Sequence, residues 1–324
     1  MSRAIITDVQ YILPDNVETN DFLVADMNLS WSADDIFDKT GIKQRHIVRE
    51  NECASDLGFL AAEKLLSANE GIKDKIDFVL FCSQSPDYVL PATAPLLQKR
   101  LGLSKKCGSL DINQGCSGYI YGLAVAKGLV ESGMSSKLLL ITAETYSKYI
   151  AKDDKATRTI FGDGAAATLI QADEKGKGCL NGFVFGSDGR GMNNLIVHNS
   201  GARKNEQEDA YLFMDGPEIF QFTLGVVPKT VKEILLKTRL QLDEIDYFIF
   251  HQANAFILEH LRNKMKIPQN KFFMDLTDTG NTVSASIPIA LSRAKQRGLV
   301  HSGMKVMLLG FGVGYSWGGC ILEI

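Results

Sequence analysis

The sequence predicts a layered α/β fold built from two duplicated halves with mostly buried mixed sheets. Three observations carry that reading. Segments return at one offset, apolar strand-like runs alternate with amphipathic helix-like runs, and no polar or Pro-rich linker divides the chain. "GLVESGM" at 128–134 returns as "GLVHSGM" at 298–304, a shift of 170. "IDFVLFCSQ" at 76–84 returns as "IDYFIFHQA" at 245–253, a shift of 169. Two matches at nearly one offset mark an internal repeat, with halves 1–171 and 172–324.

Each half opens on an apolar strand, "FVLFC" or "YFIFH". An amphipathic helix follows, "APLLQKRLGL" or "ILEHLRNKMKI". Next come a short strand, "SLDI" or "FFMDL", a glycine-bearing turn and a second helix. That helix is expected to end at "SGM", where glycine suits a C-cap. A final apolar strand, "KLLLITAE" or "KVMLLGFG", closes the unit. Strands that are apolar along their whole length indicate burial on both faces and largely parallel pairing. The segment 179–217 is rich in Gly, Asn and charge. It is expected to be loop with short strands, an insertion of the kind that shapes binding sites.

The 324 residues suit two domains or one large layered domain. A net charge of -3 gives no electrostatic reason to expect nucleic acid. The start, "MSRAIITDVQYILPDN", does not read as a signal peptide, because Asp8 and Gln10 interrupt its apolar run. No apolar run approaches the roughly 18 residues of a membrane helix. The expectation is a cytoplasmic protein with no membrane partner. The six cysteines form no CxxC pair and are expected to be free thiols. Five scattered histidines without an HExxH motif give no metal site.

Cys116, in "DINQGCSGYIYG", follows a strand and precedes a helix. A helix N-terminus presents free N–H groups and positive potential, which stabilise a thiolate and lower its pKa. The corner suits a nucleophile. It equally suits a small buried residue at a tight turn. His251 ends "YFIF" and opens "HQANAF". The carboxyl end of a parallel strand is where open α/β sheets bind ligands, although a histidine there can simply hydrogen-bond its own strand end. Asn281, in "DTGNTVSASIPIA", lies on the turn that the repeat equates with the Cys116 turn. It is either ordinary turn chemistry or the partner that a pseudo-twofold axis brings to Cys116 and His251.

"GCSG", "HQAN", "GNTVSASIP" and the terminal "GFGVGYSWGG" together resemble the β-ketoacyl-ACP synthase III family of thiolase-fold condensing enzymes. "TGIKQRHI" at 40–47 and "FGDGAAA" at 161–167 also look like that family, and the similarity runs in order along essentially the whole chain. The resemblance implies a thiolase-like fold and a catalytic triad of Cys116, His251 and Asn281. An acyl-CoA would acylate the Cys116 sulfur and release CoA. His251 and Asn281 would then donate hydrogen bonds to the thioester carbonyl of malonyl-ACP as it loses CO₂. The enolate would attack the acyl-cysteine and give a β-ketoacyl-ACP that starts fatty acid synthesis. The oxyanion donors implied are the backbone N–H groups of Cys116, Val313 and Gly314. The substrate-binding residues implied are Lys39, Leu90, Arg158, Gly216 and Phe256. Acyl-CoA and the carrier protein are the implied partners, no cofactor is held permanently, and the family is usually a homodimer. "SPDYVLPATA" at 85–94 aligns with the segment that crosses into the partner's acyl pocket, where Leu90 would set acyl length.

The chain departs from the family at the rim. Phe256 stands where an arginine commonly contributes to carrier docking. Asp35 aligns with a tryptophan that stacks on the CoA adenine, and Lys39 stands where an arginine is common. Arg158 is expected to retain a phosphate contact. These changes make a specialised relative the alternative, one that condenses or transfers an acyl group to a secondary-metabolite, alkylquinolone-type, sugar, alcohol or amine acceptor. A papain-type hydrolase shares the order Cys, His, Asn but not the duplicated sheet. A non-catalytic scaffold would have little reason to keep all three residues. Plant-type polyketide synthases share the triad but are usually longer.

Overall fold

The computed structural model describes residues 3–173, 179–203, 207 and 209–324. Met1 and Ser2 of the N-terminal segment, and 204–206 and 208 of the expected insertion, lie outside the described residues.

The repeat folds into two five-stranded mixed sheets of one topology. The first runs Arg3–Ile12, Gly164–Asp173, Lys137–Glu144, Phe78–Cys82, Gly108–Ile112 across the sheet. The second runs Leu180–Ser187, Ser316–Glu323, Lys305–Gly312, Tyr247–Phe250, Phe272–Phe273. In each, the last three strands are parallel and the first two antiparallel. The expected pairing was more parallel than this, because each half carries two antiparallel strands that the repeat did not reveal. Leu180–Ser187 is therefore a sheet strand, not part of an insertion. Beyond that strand, the described residues of the segment keep the expected character, with Leu195–Val197 and Leu212–Met214 pairing as a small ribbon.

Five layers result. The two sheets enclose helices Gly118–Glu131 and Ser286–Gln296, and one core cluster spans both sheets and both helices. Leu80 and Leu140 face it from the first sheet, Ile249 and Leu308 from the second. Helices Ala54–Ala68 and Thr93–Arg100 cover the outer face of the first sheet. Helices Gly216–Thr238 and Ala255–Lys264 cover that of the second. Strands buried on both faces explain the continuous apolar runs. No helix among the described residues is long and apolar enough to cross a membrane.

The repeated heptapeptide does not fold alike in its two copies. In the first, the helix continues to Glu131 and Gly133 follows its cap. In the second, the helix stops at Gln296. There Gly298, at φ 70°, donates to Lys295 O while Leu299 N donates to Ala294 O at 2.9 Å, a Schellman closure. "GLVHSGM" is thus a turn, and the expected end at "SGM" holds for the first copy alone.

Candidate active site

Three sequence motifs interlock to hold Asn281. Lys43 N, in "TGIKQRHI", donates to Thr277 O at 2.8 Å. Asp163 N, in "FGDG", donates to His46 O at 2.8 Å. Asn281 N donates to Ile160 O at 2.9 Å, and Gly162 N donates back to Asn281 O at 3.0 Å. Gly162 has no alternative, since a Cβ there would strike the carbonyl of Thr279. Arg45, wholly buried, binds Asn20 Oδ1 at 2.8 Å and Thr159 O at 3.0 Å beneath this junction. Burial pulls its pKa down to about 10.

The Asn281 side chain is oriented as well. Its Oδ1 accepts from Val283 N at 2.9 Å, which leaves the amide NH₂ as the free donor. Val283 is a buried β-branched residue at φ 51°, a conformation such residues rarely adopt. The strain sits two residues from Asn281.

Each residue of "HQAN" has a separate task. His251 N continues the strand ladder to Leu309 O at 2.8 Å, and its Nδ1 lies 2.7 Å from Ser286 Oγ. Gln252 ties the strand end to its neighbour through Phe273 O and Asp275 N. Ala253 lines the cavity. Asn254 caps the next helix by accepting from Ile257 N at 2.8 Å. Burial pushes His251 down to about 3, against the pull of a hydrogen bond with the Val283 backbone. The imidazole is neutral at physiological pH.

Cys116 lies in the turn just before helix Gly118–Glu131. The second half packs directly on it. A Cβ on Gly312 would sit 2.8 Å from Cys116 Cβ and 2.9 Å from Sγ. The expected lowering of the thiol pKa is not found. Burial, followed by the charge of Glu144, pushes it up to about 12, although hydrogen bonds with the Cys116 and Val313 backbone act in the opposite direction. Desolvation outweighs the helix N-terminus because the thiol is almost inaccessible.

Cys116, His251 and Asn281 line one cavity of about 100 Å³ between the two halves. Gly216 and Asn254 line it too, and the rest of its walls are mostly apolar, with Ile160, Phe161, Leu195 and Phe311 among them. Val313 approaches the sulfur through its backbone, whereas Gly314 lines a separate groove beside Tyr146 and Leu212.

The remaining expected residues stand outside this cavity. Arg158 does not keep an open guanidinium for phosphate. It is taken up by Asp26 at 2.7 Å, Glu18 at 3.2 Å and Lys152 O at 2.7 Å. Lys39 Nζ lies 3.6 Å above the ring of Trp31. Asp35 closes a capping box with Ser32, which accounts for an acid at that position. Phe256 is half-exposed and packs against Phe220 and His260. Leu90 is 80% exposed in a loop with Tyr88 and Val89. Sequence reasoning missed Ser286, Ser284 and Glu144. The serines sit inside "GNTVSASIP", and that motif was the only available signal for them.

Comparison with known proteins places the chain in a family. The family model "3-Oxoacyl-[acyl-carrier-protein (ACP)] synthase III" matches residues 110–189, and its C-terminal counterpart matches residues 235–324. A beta-ketoacyl-[acyl-carrier-protein] synthase III of Halalkalibacterium halodurans is 36% identical over 328 aligned residues, covering 100% of this chain and 97% of the relative. A crystal structure of a 3-oxoacyl-(acyl-carrier-protein) synthase III superposes with a TM-score of 0.96 at 45% identity, covering 99% of this chain and 100% of that one. The corresponding structure from Burkholderia xenovorans gives 0.94 at 36% identity, covering 99% and 94%. The chain belongs to the β-ketoacyl-ACP synthase III family.

Proposed function

We propose that this protein is an acyltransferase that condenses an acyl group from acyl-CoA with malonyl-ACP, releasing CO₂ and forming the β-ketoacyl-ACP that initiates fatty acid synthesis. The observation that supports this most is the meeting of Cys116, His251 and Asn281 on one largely apolar cavity. In the first step the Cys116 sulfur attacks the acyl-CoA carbonyl, and its proton leaves with CoA as the free thiol. The N–H groups of Cys116 and Val313 face the developing oxyanion. The resting thiol is protonated, so the nucleophile forms only as the donor binds.

In the second step the malonyl thioester carbonyl lies between His251 and Asn281. Ser286 Oγ, which accepts from Gln252 N, lies 2.7 Å from Nδ1 and orients the ring, and the reaction calls for the tautomer with its proton on Nε2. Asn281 contributes its NH₂. Both donors are neutral and fixed, so they stabilise the enolate without losing a proton to it. The enolate carbon attacks the acyl-cysteine, and the expelled sulfur regains a proton.

The halves 1–171 and 172–324 act as two domains that meet at the cavity. The protein works as a homodimer. Tyr88, Val89 and Leu90 form an exposed apolar loop that a second copy would cover, with Leu90 limiting acyl length in the partner. Acyl-CoA and carrier protein are its partners, no cofactor is retained, and the location is cytoplasmic. A second reading, with another acceptor, draws support from the rim, where Arg158 is neutralised and Phe256 replaces a cation. The test is product formation from a panel of acyl-CoAs with malonyl-ACP. A β-ketoacyl-ACP accompanied by CO₂ supports condensation. Acyl-CoA consumption without CO₂ release supports the second reading.

A further inference from the structure

The proposed mechanism leaves one buried group unused whose charge reaches Cys116. Glu144 ends strand Lys137–Glu144 and has no accessible surface. Among the described residues its hydrogen-bond partners are all neutral. Ser284 Oγ donates to it at 2.6 Å, Ser85 Oγ at 2.9 Å, Gln84 N at 3.1 Å and Ser83 Oγ at 3.4 Å. A buried carboxylate without a cation is costly to keep, and four donors at one point indicate a built site.

These partners lead to both reacting corners. Ser284 follows Val283, whose N–H holds the Asn281 side chain. Gln84 turns its side-chain oxygen against Gly115, the residue before Cys116, and that oxygen accepts from Tyr146 Oη at 2.7 Å. We propose that Glu144 is a positioning residue that holds the Cys116 turn and the Asn281 loop in register across the junction of the two halves. The inference rests on the roles given above to Cys116 and Asn281.

Its charge has a second consequence. Burial raises Glu144 to about 7. The titratable groups facing it are Cys82 on the neighbouring strand, Cys116 in its turn, and Tyr146 and Tyr149 beyond its own strand. Each is pushed up by burial first and by the carboxylate next. The Asn281 loop brings only Ser284, and Asp163 beyond the paired strand is occupied by Ser147 and the Val48 amide. Ionised Glu144 therefore holds the Cys116 proton in place.

The test uses the full-length protein and two variants. Iodoacetamide alkylation of Cys116, read by mass across pH, needs no substrate and so stands apart from the functional reading. Glu144→Gln keeps the shape and removes the charge. It is expected to move the alkylation curve to lower pH by about one unit, roughly tenfold faster labelling at fixed pH. Ser284→Ala keeps the charge and cuts the tie to the Asn281 loop. It is expected to slow malonyl-thioester decarboxylation about tenfold more than it slows acylation of Cys116. An unmoved alkylation curve in folded Glu144→Gln overturns the proposal, as does a Ser284→Ala enzyme that slows both partial reactions equally or neither. If Glu144→Gln does not fold, Ser284→Ala alone decides.

Discussion

The cavity floor and its rim obey different rules. At the floor, Cys116, His251 and Asn281 are buried, and neighbours fix both the backbone and the polar atoms of His251 and Asn281. At the rim, Lys39, Arg158 and Phe256 are engaged with Trp31, with Glu18 and Asp26, and with Phe220 and His260. The floor is locked by packing between two halves, so one changed residue disturbs several others. The rim is bounded by solvent, so its residues can change while the fold persists. On the proposed function, reaction type is expected to follow the floor, and the choice of donor and carrier the rim.

The largest expected effects test the floor. His251→Ala and Asn281→Ala each remove one oxyanion donor. Each is expected to slow malonyl decarboxylation about 10²–10³-fold, while the acyl-cysteine still forms. Stopped-flow decarboxylation alongside mass analysis separates the two steps, and equal loss of both would erase the division of labour. Gly312→Ala comes next. Its methyl would press on Cys116 Cβ and Sγ, and a displaced sulfur is expected to cost acylation up to about 10²-fold, with the melting transition still cooperative.

A smaller effect concerns pH. Burial raises Glu144 to about 7 and Asp163 to about 6. The folded protein therefore binds protons that the unfolded chain has released. The stability from these groups is full below their ordinary carboxyl range and is lost as pH rises through about 6 and 7. His251, held down to about 3, acts in the opposite sense and contributes stability above its ordinary 6.5 that is lost as pH falls toward 3. Glu144→Gln is expected to gain thermal stability relative to wild type as pH rises from about 4.5 to 7, read by melting curves across that window. A constant offset would place the carboxyl in water. The smallest effect tests the rim. Phe256→Arg is expected to lower KM for an acidic carrier protein a few-fold with kcat unchanged. A fall in kcat instead would mean that Phe256 supports the cavity itself.

Much of this was legible in the sequence. The repeat offset equated the Asn281 turn with the Cys116 turn, and a twofold arrangement is what brings such positions together; His251 was marked by its place at a strand end. The outer strands Arg3–Ile12 and Leu180–Ser187 were not legible, because their mixed polar and apolar residues match neither a fully buried strand nor each other. Identity of letters also misled. "GLVESGM" and "GLVHSGM" diverge because a helix end depends on where the preceding turn packs, not on the heptapeptide. The thiol pKa was read from local geometry, whereas burial and a carboxylate distant in sequence decide it. Glu144 carries no motif of its own, and only the fold sets it under both corners.

The most direct test of the central claim is intact-protein mass after incubation with acyl-CoAs of increasing chain length, comparing wild type with Cys116→Ala. The expected result is one acyl adduct on wild type and none on the variant, with a preferred chain length. An adduct that persists on Cys116→Ala, or none on wild type with either acyl-CoA or acyl-ACP, would contradict the assignment of Cys116 as the nucleophile.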